Sequence, residues 1–403
     1  MIQTPTLLLS DRVLAMEESA TLKMAKLARQ LRDEGHDVIA LSLGEPDFDT
    51  PDHIKEAAKK ALDEGFTKYT PVPGLPELRE AICRKFKRDN DLDFDISQIV
   101  VSNGAKQSIA NLCMALLNTG DEAIIFAPYW VSYSAIIKVA GGVPIPVNAG
   151  IEQDFKVTPE QLEDAITDKT RIVLFSSPCN PTGSVYTYDE LKEIAAVITR
   201  HPNITIISDE IYEHINFTGK HASIGAFTEV RDRTVTVNGF SKGFAMTGWR
   251  LGYIGAPQAI ASACSKIQGQ NTSGATSFGQ KAAAFALDAD MGPTNKMRAA
   301  YLSRRDIIVD LLGAIPGVQI NRPTGAFYVF PNVSAFIGRR FNGEVIQTSD
   351  DLAMYLLTNA HVATVAGSAF GDPDCIRISY AASEEQIREA ISRISVALNQ
   401  LEK

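Results

Sequence analysis

From about residue 98 the chain becomes rhythmic. Short apolar runs recur, each closing on polar or glycine-rich residues: QIVVSNGAK, EAIIFAPYW, RIVLFSSPCNPTG, ITIISDEIY, TVTVNGFSK and LGYIGAP. Stretches of helical periodicity separate them. Near-continuous apolar strands alternating with helices predict a mostly parallel sheet covered on both faces, an α/β fold. Ligands of such sheets bind beyond the carboxyl ends of the strands, so the residues after each run are the ones to inspect.

The flanks read differently. Residues 20–34 show a 3.6-residue period stopped by Gly35, with Ser19 or Thr21 as a cap. Residues 53–64 and 75–89 read as helices around the loop FTKYTPVPG. Beyond 290 come a helix over 294–312, GAFYVFPNV, a helical segment over 351–360, VATVAGSAF, IRISYA and a last helix from about 384. This order predicts a smaller α+β domain. The expected divisions are 1–48, packing with that small domain; 49–290, the large ligand-binding domain; and 291–403, the small domain.

Composition narrows the classes. A chain of 403 residues, 45% hydrophobic and 22% charged, is an ordinary globular one that can bury a large core. A net charge of −9 argues against nucleic acid as a partner. No apolar stretch is long enough to span a membrane. The N-terminal MIQTPTLLLSDR lacks the basic and apolar regions of a signal peptide. The five cysteines are scattered and show no C-x-x-C spacing, which predicts reduced thiols, a cytoplasmic setting and no structural metal. Both GxGxxG and the Walker A pattern are absent.

Lys242 follows a buried run and sits among Gly239, Ser241 and Gly243. Desolvation there favours the neutral, nucleophilic amine that a Schiff base requires. Arg250 follows in GWR, with a fork suited to phosphate. Taken singly, both read more simply as solvated loop cations. Asp209 ends ITIISD; it either caps the next turn or keeps a pyridine nitrogen protonated. Tyr212, three residues on, and Asn180 in CNPTG are hydrogen-bonding candidates for a phenolic oxygen. Gly104 and Ala105 open a helix whose free N–H groups suit a phosphate, with Lys106 beside them. Trp130 is either a core residue or a ring stacked on a flat ligand. Arg377, between Ile376 and Ile378, is inert on a solvent face and a carboxylate fork in a cleft.

Taken together, LSLGEPDFDTP, KYTPVPGLPELREAI, SNGAKQS, APYWVSY, SPCNPTG, SDEIYEH, VNGFSKGFAMTGWRLGY, GAFYVFP and RISYA resemble the class I aminotransferases, over nearly the whole length. The steps of 29, 33 and 8 positions from Asn180 to Asp209, Lys242 and Arg250 suit that family. The branch resembled is the aspartate aminotransferases called Ib, some of which also use prephenate. The resemblance implies fold type I, with a mostly parallel seven-stranded sheet between helices in the large domain. It implies pyridoxal 5′-phosphate as cofactor, amino acids and 2-oxo acids as substrates, and a homodimer with shared sites. By position, Lys242 would bond the cofactor and shuttle the proton, Asp209 would pair with the pyridinium, and Asn180 and Tyr212 would bind the phenolic oxygen. Trp130 would stack on the ring; Arg250 and residues 104–106 would hold the phosphate. Tyr69 would reach the phosphate of the neighbouring subunit. Gly44 and Arg377 would take the substrate α-carboxylate and Lys106 a distal one. Arg12 and Thr21 resemble the residues of prephenate-using members. Asn271 in QGQNTSGATS, and Gly243 where many members carry Ala or Thr, depart from the usual pattern. An aromatic or alanine aminotransferase is the alternative within the class.

Overall fold

The computed structural model describes residues 8–14, 16 and 18–402. Its centre is a seven-stranded sheet. In chain order the strands are β1 (Ile99–Ser102), β2 (Glu122–Ala127), β3 (Val143–Asn148), β4 (Thr170–Ser176), β5 (Thr205–Asp209), β6 (Thr234–Gly239) and β7 (Gly252–Gly255). They lie in the order β1-β7-β6-β5-β4-β2-β3, and only β7 runs antiparallel to its neighbours. The α/β class and the predominantly parallel sheet expected from the apolar runs are therefore observed.

Alternation along the strands sends successive side chains to opposite faces. Val100, Ile125, Leu174, Ile207, Val237 and Ile254 enter one core, which also holds Ile109 and Leu112 of α1 (Ala105–Leu116). Their neighbours face the other way and divide between two cores. Val101 and Tyr253 pack with α2 (Pro76–Asn90), whereas Val173 and Ile206 pack with α3 (Tyr188–Thr199). Burial on both faces explains why these strands read as unbroken apolar runs.

β3 was not among the runs identified in the sequence. It is an edge strand, VPIPVN, with two prolines. Val143 N donates to Asp121 O and Ala149 N to Ala127 O, so the odd-numbered residues face β2. Pro144 and Pro146 point their donorless nitrogens at the open edge, where no ladder bond is lost.

The C-terminal part forms its own core around a three-stranded antiparallel sheet. Ile376–Ser379 is central, with Val365–Ala366 and Tyr328–Val329 on either side. Helices Gly292–Gly313 and Glu384–Asn399 cover it. Ile39–Ala40 pairs in parallel with Val362–Ala363, and Met24 and Ala28 of helix Ala20–Asp33 pack on Ala353 and Leu357. The early segment thus joins the C-terminal layer. Residues 42–45 run from it across the carboxyl ends of the large sheet. Among the described residues no helix is long and apolar enough to cross a membrane.

Candidate active site

A cavity of about 390 Å³ opens where the carboxyl ends of the large sheet meet the C-terminal layer. Lys242, Asp209, Asn180, Tyr212, Trp130, Ala105, Lys106, Arg250, Gly44, Arg377 and Thr21 all line it. Residues spread over more than three hundred positions are thus gathered by topology.

Asp209 is the last residue of β5 and is 4% exposed. Its Oδ2 accepts from the Tyr133 hydroxyl at 2.6 Å and its Oδ1 from Ile211 N at 3.3 Å. Burial pushes its carboxyl up to about 6, against the pull of those two hydrogen bonds. Lys242 lies in the turn after β6, half-buried, and its Nζ donates to the Gly44 carbonyl. Burial brings its ammonium down to about 8, and the nearby Glu45 carboxylate offsets only part of that. The two groups therefore sit close to the protonation states needed for proton transfer near neutral pH.

Arg377 is 1% exposed and stacks between Tyr328 and Phe370, with its guanidinium 4.7 and 4.8 Å from the ring centres. It donates to Asn180 Oδ1 at 3.0 Å and to the Ser42 carbonyl at 2.5 Å, both neutral acceptors. Its Nε has no partner among the described residues. A buried guanidinium satisfied only by neutral oxygens is suited to take a carboxylate. Because Asn180 spends its oxygen on Arg377, its amide N–H₂ is the end left for a ligand. The Tyr212 and Tyr328 hydroxyls are 2.7 Å apart, and a Cβ on Gly44 would collide with that of Tyr328. Only glycine lets the 42–45 segment approach so closely.

The phosphate candidates converge as well. Gly104 has φ +83°, and a Cβ there would strike the Arg250 guanidinium. Arg250 is itself left-handed (φ 54°) and donates from Nη1 to Thr247 O at 2.9 Å. A Cβ on Gly252 would strike Ala105 N. The bare backbones of Gly104 and Gly252 therefore bring the guanidinium and the first N–H of α1 together as an anion cradle. Lys106 Nζ lies 4.9 Å from the centre of the Trp130 ring, and burial, with Arg250 nearby, lowers its pKa.

Tyr69 is not brought into this cavity; it is 99% exposed. Asn271 ends helix Gln258–Asn271 away from the lining. The Arg12 side chain lies outside the described residues. Two further lining residues escaped the sequence reading. Tyr133 stands one turn past Trp130, at the start of helix Ser132–Val139, and Tyr328 lies inside an apolar strand. Both lie in motifs that were read, but a tyrosine in an apolar setting looks like core until its hydroxyl finds a partner.

Apart from Thr21, the cavity residues named above fall within residues 36–394, which match the family model described as aminotransferase class I and II. The chain belongs to this aminotransferase family. Among its curated relatives are the bifunctional aspartate aminotransferase and glutamate/aspartate-prephenate aminotransferase of Petunia hybrida, 47% identical over 97% of this chain and 82% of that one. The aspartate/prephenate aminotransferase of Cereibacter sphaeroides is 47% identical over 96% of this chain and 97% of that protein. The aspartate aminotransferase structure from Rhizobium meliloti superposes with a TM-score of 0.95 at 41% identity, covering 98% and 100% of the two chains. That from Thermus thermophilus with maleate gives 0.92 at 41% identity, over 97% and 100%. The aminotransferase fold and the large-domain sheet read from the sequence thus hold.

Proposed function

We propose that this aminotransferase uses pyridoxal 5′-phosphate and moves amino groups between aspartate or glutamate and the matching 2-oxo acids, with prephenate as a further acceptor. The observation that carries the reading is the shared cavity of Lys242, Asp209 and a buried Arg377 whose Nε has no partner. The residues fit the cofactor. The Gly104–Arg250 cradle suits its phosphate, Asp209 its ring nitrogen, the Asn180 amide and the Tyr212 hydroxyl its phenolic oxygen, and Trp130 its face. When bound, the cofactor supplies an electron sink for the substrate α-carbon.

The chain's own groups do the rest. Asp209, ionised above about pH 6, holds the proton on the ring nitrogen. The Lys242 amine, neutral above about pH 8, takes the α-proton at Nζ and returns it. Arg377, with Asn180 and the Gly44 segment, fixes the α-carboxylate so that the α-hydrogen faces Lys242. Lys106 lines the same cavity and would take a distal carboxylate, in keeping with the maleate named with the similar Thermus enzyme. Thr21 lines the same space, which supports prephenate together with the names of the relatives. The full exposure of Tyr69 accords with a homodimer in which each Tyr69 reaches the partner's phosphate site.

The test is a transamination panel on protein loaded with pyridoxal phosphate, using aspartate, glutamate, oxaloacetate, 2-oxoglutarate and prephenate, with phenylalanine and alanine as controls. Dicarboxylic substrates are expected to dominate. Lys242→Ala should lose both turnover and the shifted absorption of bound cofactor. Retained turnover in that variant, or no uptake of cofactor by the wild type, refutes the assignment.

A further inference from the structure

Behind the site lies a second group of charges. Residues 211–214 form a turn rather than a regular helix. Asp209 and Tyr212 line the cavity, whereas the residues after each, Glu210 and Glu213, are 1% and 6% exposed and lie among other polar side chains. Glu210 accepts from Ser208 Oγ at 2.9 Å, Ser223 Oγ at 2.6 Å and Asn90 Nδ2 at 3.1 Å, and lies 3.0 Å from His221 Nε2. Asn90 Nδ2 also reaches Glu213 Oε2 at 2.8 Å. Lys85, with no exposed surface, pairs with Glu213 and donates to Asn90 Oδ1 at 2.6 Å. Glu210, Glu213 and His221 come close enough to share a metal ion. The Lys85 ammonium already paired with Glu213 would repel one.

The network also touches the turn that bears Lys242. His214 Nε2 lies 3.3 Å from Glu213 Oε1. A Cβ on Gly243 would come within 2.7 Å of His214 Cδ2 and 2.9 Å of its Cβ, which is too rigid a neighbour to swing aside. The Gly243 carbonyl accepts from Thr294 Oγ1 at 2.8 Å.

We propose that the buried Lys85–Glu213–Asn90–Glu210 network, extended by His214, positions Asp209, Tyr212 and Lys242 for the reaction. These are positioning residues, since none lines the cavity. Buried charges tolerate few arrangements, because each must keep its partner. Fixing Glu210 and Glu213 from helix α2 therefore fixes the opposite side of the same turn, where Asp209 and Tyr212 sit. His214, held by Glu213, then sets how closely the Lys242 turn can approach. Glu210 also adds its negative charge to the environment of Asp209. The inference rests on reading the cavity as a pyridoxal phosphate site.

Two variants test it through cofactor affinity, melting temperature and the split between kcat and KM. His214→Ala frees the Lys242 turn from the ring that Glu213 holds against it and is expected to lower kcat about tenfold, with KM for aspartate nearly unchanged, because displacing a reacting group by a fraction of an ångström has that scale of effect. The pair Lys85→Met with Glu213→Gln removes both charges together, so the protein stays folded while the turn loosens. It should melt near the wild type yet bind pyridoxal phosphate several-fold more weakly and turn over about tenfold more slowly. Wild-type kcat in either variant overturns the proposal. A wild type that takes up no pyridoxal phosphate overturns the parent reading, and this one with it.

Discussion

The Tyr133 hydroxyl offers the cleanest test of how Asp209 is tuned. It donates at 2.6 Å to a carboxylate that is 4% exposed, and burial has already pushed that carboxyl up to about 6. Tyr133→Phe removes the donor and leaves the ring in its core position. A hydrogen bond to a charged group contributes about 1.5–3 kcal/mol. At about 1.4 kcal/mol per unit, its loss raises the Asp209 carboxyl by about one to two units, to about 7–8. Under the proposed function the cofactor ring needs the ionised carboxylate. Below about pH 6, where Asp209 is protonated in both proteins, the variant should bind pyridoxal phosphate about 10–100-fold more weakly, the full difference in ionisation. The gap should narrow as pH rises through 7–8 and close near pH 9, where both carboxylates are charged. The assay is the cofactor dissociation constant, titrated by absorption from pH 5.5 to 9. A loss that is the same at every pH would show that Tyr133 acts through packing and not through the charge on Asp209. No loss at all would remove it from the site.

Arg377→Lys replaces a planar fork by a point charge and leaves either Asn180 Oδ1 or Ser42 O unpaired; KM for aspartate and glutamate alike should rise about tenfold or more, with the absorption of bound cofactor unchanged. Gly104→Ala drives a methyl into the Arg250 guanidinium at a left-handed φ, so cofactor affinity should fall about tenfold in the same titration, whereas Gly35→Ala, also left-handed but with open space around it, should cost stability alone. Lys106→Ala should reduce kcat/KM for aspartate far more than for alanine, and equal losses would exclude a distal-carboxylate role.

Legibility in the sequence tracked burial. Six strands of the large sheet announce themselves because both faces are covered, so their apolar residues follow one another with few polar interruptions. β3 stays silent because the open edge admits Pro144 and Pro146, residues that argue against a strand anywhere else in a sheet. The short pairing of Ile39–Ala40 with Val362–Ala363 is equally mute. Two residues carry no period, and their partner lies more than three hundred positions away.

The site divides along a different line. Arg377 shows why position in the chain is not enough: alternation alone left its face undecided between solvent and cleft. In the structure one face of its strand sends Ile376 and Ile378 into the C-terminal core and the other meets the cleft, where Tyr328 and Phe370 flank the guanidinium, so there is no solvent face to take. On the cleft side the guanidinium is buried with neutral oxygens as its acceptors, an arrangement that a carboxylate would complete. Lys242 gains the same way. As one lysine after one strand it is indistinguishable from a surface cation; its chemistry follows from Gly44, Glu45 and Arg377, which surround it in space and are remote in sequence. Residues whose role is set by their own type and by the strand before them, such as Asp209, can be read from the chain. Residues whose role is set by what crosses over them, such as Tyr133, Tyr328 and the charges behind Asp209, emerge only when the layers are assembled.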